Sequence, residues 1–163
     1  VRAGAPAAYT VFRYGGNFSQ SFAADWQLRL TLSGQLTRDR LIPGEQFGVG
    51  GATSVRGFLE REVANDQGYL VSGEVYTPNY CPKLGLGTMQ CRALAFYDTG
   101  YVSRISPLAG ETANDSIASF GLGLRVTQDK SVTVSMDYGH VLVSGGTQGK
   151  GDERVHFRMG LLF

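Results

Sequence analysis

Apolar and polar side chains alternate one for one along much of the chain, the period-two signature of β-strands with two unlike faces. Over residues 154–163, Val155, Phe157, Met159, Leu161 and Phe163 share one face, and Arg154, His156, Arg158, Gly160 and Leu162 share the other. Residues 131–143 divide in the same way, with Val132, Val134, Met136, Tyr138, His140 and Leu142 against Ser131, Thr133, Ser135, Asp137, Gly139 and Val141. Residues 117–126 set Ala118, Phe120, Leu122, Leu124 and Val126 against Ile117, Ser119, Gly121, Gly123 and Arg125. Residues 26–35 set Trp26, Leu28, Leu30, Leu32 and Gly34 against Gln27, Arg29, Thr31, Ser33 and Gln35. Looser alternation marks 10–22, 69–78 and 92–102, so the pattern predicts an all-β, antiparallel meander of about seven strands.

A soluble sheet also alternates, and the charges separate the two cases. The face read as inward collects Arg13, Arg29, Glu74, Arg92, Asp98, Arg125, Asp137, Arg154 and Arg158, whereas the other face of these strands has no Lys, Arg, Asp or Glu. Strands of about ten residues suit a tilted membrane crossing. The connections alternate short and long, with 23–25 short, 42–68 long, 79–91 intermediate, 103–116 long, 127–130 short and 144–153 longer. That is the rhythm of an outer-membrane barrel, with short periplasmic turns and longer outer loops. Seven strands fall below the even number, eight or more, usual in bacterial single-chain barrels, and the chain opens on Val1. The expectation is that residues 1–163 form the C-terminal part of a larger transmembrane β-barrel.

Composition agrees with strands. Among 163 residues there are 23 glycines and only 18% charged side chains. No run approaches the roughly 18 to 20 apolar residues of a membrane-spanning helix. Fifteen Lys and Arg against fourteen Asp and Glu leave a net charge of +1, so there is no bulk charge to argue for nucleic acid or an acidic partner.

The longest connection contains Glu45-Gln46-Phe47-Gly48-Val49-Gly50-Gly51-Ala52-Thr53-Ser54-Val55-Arg56-Gly57-Phe58. It is not a dinucleotide cradle, because the third glycine is missing and no helix pattern follows. Three large apolar residues around one arginine point to an ordered loop that folds inward. Val55-Arg56-Gly57-Phe58, followed about forty residues later by Phe96-Tyr97-Asp98-Thr99-Gly100 in a strand, resembles the two-partner-secretion transporters. These are the haemolysin secretion/activation (TpsB) proteins, in the wider superfamily of BamA-like barrel assembly proteins. The likeness runs from about Trp26 to Phe163.

The resemblance implies a sixteen-stranded outer-membrane pore that secretes a partner exoprotein, recognised by periplasmic POTRA domains absent from these residues. It also implies that loop 42–68 enters the lumen and that its Arg56 meets Asp98 on the wall, with Val55, Gly57, Phe58, Phe96 and Gly100 completing the lock. Parity is compatible, since Phe96, Asp98 and Gly100 all fall on the inward face. The competing arrangement leaves Arg56 in solvent and pairs Asp98 with Arg92 or Arg125. A solute porin or a barrel assembly factor is the alternative function.

Cys81 and Cys91 flank the connection assigned to the periplasm, where disulfides persist, and are a candidate bridge. Phe157, Met159, Leu161 and Phe163 are apolar at every second position and end on an aromatic residue, a pattern that resembles the signal read by the barrel assembly machinery. Outer-membrane lipid is the expected neighbour of the apolar face. No Gly-x-Ser-x-Gly or His-Glu-x-x-His motif is present, so neither catalysis nor a cofactor is expected. The two histidines fall on opposite faces and predict no metal site. His140 is expected at an interface, and His156 within reach of Asp137.

Overall fold

A computed structural model describes residues 4–128 and 131–162. Its strands are β1 (Val11–Ser21), β2 (Gln27–Thr37), β3 (Phe47–Val49), β4 (Val63–Asn65), β5 (Gln67–Tyr76), β6 (Met89–Ser103), β7 (Asn114–Gln128), β8 (Val132–Val143) and β9 (Glu153–Leu161). Seven of them form one sheet in the order β1-β2-β5-β6-β7-β8-β9, with every neighbouring pair antiparallel. β3 and β4 make a separate two-stranded hairpin inside the connection between β2 and β5. Among the described residues no helix is long and apolar enough to cross a membrane, which says nothing about strands.

The two sheet faces have opposite characters, as the alternation predicts. Phe12, Phe18, Leu30, Leu122, Met136, Phe157, Met159 and Leu161 stand exposed on one face, with Leu122 and Phe157 both 65% exposed. On the other face the sheet covers Leu70, Asp98, Val102, Ile117, Ser119, Asp137 and Val141. What covers them is the β2–β5 connection. Val49, Val55, Phe58 and Val63 from that loop pack with Leu70, Val102, Ile117 and Val141 from the wall into one buried cluster, with Phe47 at its edge. The sheet bends around the loop. A single guanidinium nitrogen of Arg56 reaches Glu74 on β5 at 2.7 Å and Asp137 on β8 at 3.5 Å. On a flat sheet those strands would stand about 14 Å apart.

Several boundaries differ from the sequence expectation. Loop 42–68 is not wholly irregular, since it contains β3 and β4, each only three residues long. β6 starts at Met89, so Cys91 belongs to the strand and not to the connection before it. β7 starts at Asn114, and a register shift at Ala118/Ser119 buries both of those residues beside Ile117. Ala118, expected on the lipid-facing side, is 3% exposed because this irregularity breaks strict alternation. Phe163 lies outside the described residues.

Candidate functional site

Seven residues of the two motifs, Val55, Arg56, Gly57, Phe58, Phe96, Asp98 and Gly100, build the contact between loop and wall. Gly57 has φ +94°, a left-handed conformation that favours glycine, and it turns the loop tip against the wall. The neighbouring Arg56 is thereby directed onto Asp98 of β6. Its Nε donates to Oδ2 at 2.7 Å and its Nη2 to Oδ1 at 2.8 Å, a two-pronged arrangement. The Arg56 backbone N–H adds a third bond to Oδ2 at 3.1 Å. Ser72 Oγ donates to Asp98 Oδ1 at 2.6 Å, so the carboxylate is fully engaged. The guanidinium carbon lies 3.6 Å from the ring centre of Phe96, a cation–π contact on its remaining face. Gly100 leaves room for Val49, whose side chain would lie only 3.1 Å from an added Cβ. Val55 and Phe58 are fully buried in the cluster that glues the loop to the wall.

The site is buried, with Arg56 4% and Asp98 0% exposed. Burial alone would favour a neutral guanidine. The hydrogen bonds and charges of Asp98 and Glu74 outweigh it and raise the Arg56 pKa, so the side chain stays charged. Glu74 and Asp137 are partners of Arg56 that sequence reasoning did not assign. Parity put both on the inward face, but only the bend of the sheet brings them to one guanidinium. The competing pairing of Asp98 does not form: Arg92 pairs with Asp25 at 2.6 Å, and Arg125 with Asp137 at 2.8 and 3.0 Å.

His156 of β9 does not bond Asp137, although the two are register partners. Its Nε2 instead accepts the backbone N–H of Gly57 at 3.0 Å, adding the last strand to the loop-tip contacts. His140 packs edge-on against Phe120 with ring centres 5.3 Å apart, and its Nδ1 lies 3.4 Å from Glu153 at the strand end. Cys81 and Cys91 are paired, with Cα atoms 5.1 Å apart. Asn79 Oδ1 accepts both of their backbone N–H groups. Phe157, Met159 and Leu161 line the exposed apolar side of β9.

A bent antiparallel meander, apolar outside and charged inside, with a long loop packed on its inner face, has the architecture of a section of an outer-membrane-type barrel. A solved structure of CdiB from Acinetobacter baumannii has the same fold, with a TM-score of 0.71 at 22% identity. The match covers 95% of this chain and 27% of that one, so the chain spans about a quarter of the length of CdiB. No curated protein sequence matches it. Residues 2–126 match the family described as haemolysin secretion/activation protein ShlB/FhaC/HecB, and the chain belongs to that family.

Proposed function

We propose that this chain is the C-terminal section of a bacterial outer-membrane barrel that secretes a partner exoprotein, with loop 42–68 as its interior lock. The observation that carries the reading is the buried Arg56–Asp98 contact, which fastens a loop tip to the middle of the polar wall. Membership of a secretion/activation family supports the class of work. The periplasm supplies no nucleotide, so conduction is passive, with the exported polypeptide drawn out as it folds outside. POTRA domains preceding the barrel capture the exoprotein, lipid covers the exposed apolar face, and the barrel assembly machinery inserts the protein.

The mechanism follows from the energetics of the lock. Removing one member of a buried ion pair costs roughly 3–5 kcal/mol, because the other charge is left without a partner. The loop is thus held until the exported chain supplies competing contacts, and it reseats when that chain has left. In the full-length transporter, Arg56→Ala should cut secretion of the exoprotein into the medium while the barrel still reaches the outer membrane. Arg56→Lys should restore only part of it, since lysine cannot make the two-pronged bond. Undiminished secretion by the alanine variant would remove the lock reading. A general fall in outer-membrane protein levels would point instead to an assembly factor.

A further inference from the structure

Three arginines stand in one register row on the inner wall, on the short-turn side of the lock. Arg92 on β6 is directly opposite Arg125 on β7, Arg125 is opposite Ser135 on β8, and Ser135 is opposite Arg158 on β9. Like charges placed directly opposite one another destabilise a sheet. A fold that keeps such a row gives up stability there, and departures of this kind concentrate at functional positions.

Counter-charge is incomplete along the row. Arg92 has Asp25, and Arg125 has Asp137, which it shares with Arg56. Arg158 has no acidic partner among the described residues. Arg29 on β2 has no ion pair among the described residues either: Glu74 stands opposite it in register but is engaged by Arg56, and the Arg29 guanidinium lies 4.3 Å over the Tyr76 ring and donates to Gln27. Both of these side chains are exposed. The four arginines line two adjoining inner-face hollows. One, of about 280 Å³, is bounded by Arg29, Arg92 and Arg125. The other, of about 240 Å³, is bounded by Arg125, Arg158 and Arg56 itself. Arg125 belongs to both, so guanidinium groups extend from the short-turn mouth to the lock, where Glu74 also lines the second hollow and pairs with Arg56.

The choice of cation is also selective. No described strand contains lysine. Arginine presents a planar fork that matches a carboxylate with two parallel bonds, where lysine offers a point charge. General repulsion or solubility would be served equally by either residue.

We propose that Arg29, Arg92, Arg125 and Arg158 form a carboxylate-reading tract that engages acidic stretches of the polypeptide entering the pore. The tract rests on the export reading and names the chemistry of the segment that enters first. Its two members without an ion pair, Arg29 and Arg158, take the incoming carboxylates, while Arg92 and Arg125 stay in their internal pairs. Attachment is weak and repeated, so a chain can pass from one guanidinium to the next without being trapped.

The test is binding of fluorescein-labelled decaglutamate and decalysine to the detergent-solubilised full-length transporter, followed by anisotropy. Decaglutamate should bind roughly tenfold or more tightly than decalysine at low salt, and high salt should abolish the difference. The double variant Arg29→Gln/Arg158→Gln should lose most of that preference, and Arg29→Glu/Arg158→Glu should reverse it. Arg29→Lys/Arg158→Lys should bind decaglutamate several-fold less tightly than wild type despite its equal charge. Equal binding of the two peptides by the wild type overturns the tract, as does a glutamate variant that keeps the preference. Secretion of the exoprotein is scored separately. Secretion without the preference overturns the tract alone, and the preference without secretion upholds the tract and overturns the export reading.

Discussion

The carboxylate of Asp66 accepts the backbone N–H of Ile105 at 2.7 Å, joining the root of the long loop to the β6–β7 connection across 39 residues of sequence. Its other oxygen accepts the N–H of Leu41 at 2.9 Å, and its backbone carbonyl accepts Gln35 Nε2 at 2.9 Å. Asp66 is fully buried, so one side chain anchors both arms of the loop where they leave the sheet. Asp66→Ala would orphan two backbone donors, a cost of about 1–3 kcal/mol each. The loop should then become protease-sensitive at Arg61 while the sheet keeps its strand content by circular dichroism. Unchanged cleavage would show that the anchor is dispensable.

Gly139 meets the loop tip backbone to backbone. A Cβ there would lie 2.7 Å from the Gly57 nitrogen and 2.9 Å from its Cα, neither of which can swing aside. Gly139→Ala is expected to lift the tip, cost about 1–3 kcal/mol of docking and depress secretion much as Arg56→Ala does. Hydrogen exchange at Gly57 measures the lift directly.

Glu62 clasps the β8–β9 connection by accepting the Thr147 hydroxyl at 2.7 Å, with the Thr147 and Leu59 N–H groups as further donors. Partial burial pushes its carboxyl up, but the bonds from Thr147 and Leu59, with the charge of Arg154, outweigh this and hold it below the usual carboxylate range. A depressed folded-state value means that the stabilisation is complete above the unfolded value and disappears as pH falls through the folded one. The clasp should therefore hold at neutral pH and open only as pH falls through the depressed folded value, below the usual carboxylate range. Exchange of the Thr147 amide across that range reports it, and Glu62→Gln should flatten the dependence.

Periplasmic material is expected to carry the Cys81–Cys91 bridge, leaving neither thiol available for alkylation until reductant is added. Cys81→Ser should lower stability by about 3 kcal/mol on the chain-entropy model. The Asn79 contacts and the Arg92–Asp25 pair should keep the turn in place, so secretion should fall less than stability does.

Replacing Phe157 and Leu161 with serine should delay insertion without preventing it. If the outward pattern Phe157, Met159 and Leu161 is read as a signal, the variant accumulates as periplasmic precursor in cells yet refolds in detergent with near-normal yield. Insertion at the wild-type rate would leave these residues only their contact with lipid.

Much of this architecture is legible in the residues. Seven strands and their facing follow from alternation, because a wall wet on one side and apolar on the other imposes period two over ten or so positions. β3 and β4 escape that test, since three residues cannot display a period. Met89, Gln90 and Cys91 extend β6 into a stretch whose side chains contrast too little to mark a boundary. Glu74 and Asp137 appear as inward acids, but their convergence on Arg56 depends on curvature, which is a property of the whole sheet. Asp66 gave no local signal, as an aspartate before a strand ordinarily reads as a turn residue.

The bare outer face of the meander makes delivery as demanding as function. Leu122, Phe157, Met159 and Leu161 suit hydrocarbon, yet on the outer-membrane reading each new copy has to cross the aqueous periplasm with them uncovered. In water such a surface invites self-association, so a holdase in transit and a detergent in the test tube serve the same need. On that reading, synthesis that outruns insertion should yield clumped protein before any pore has opened.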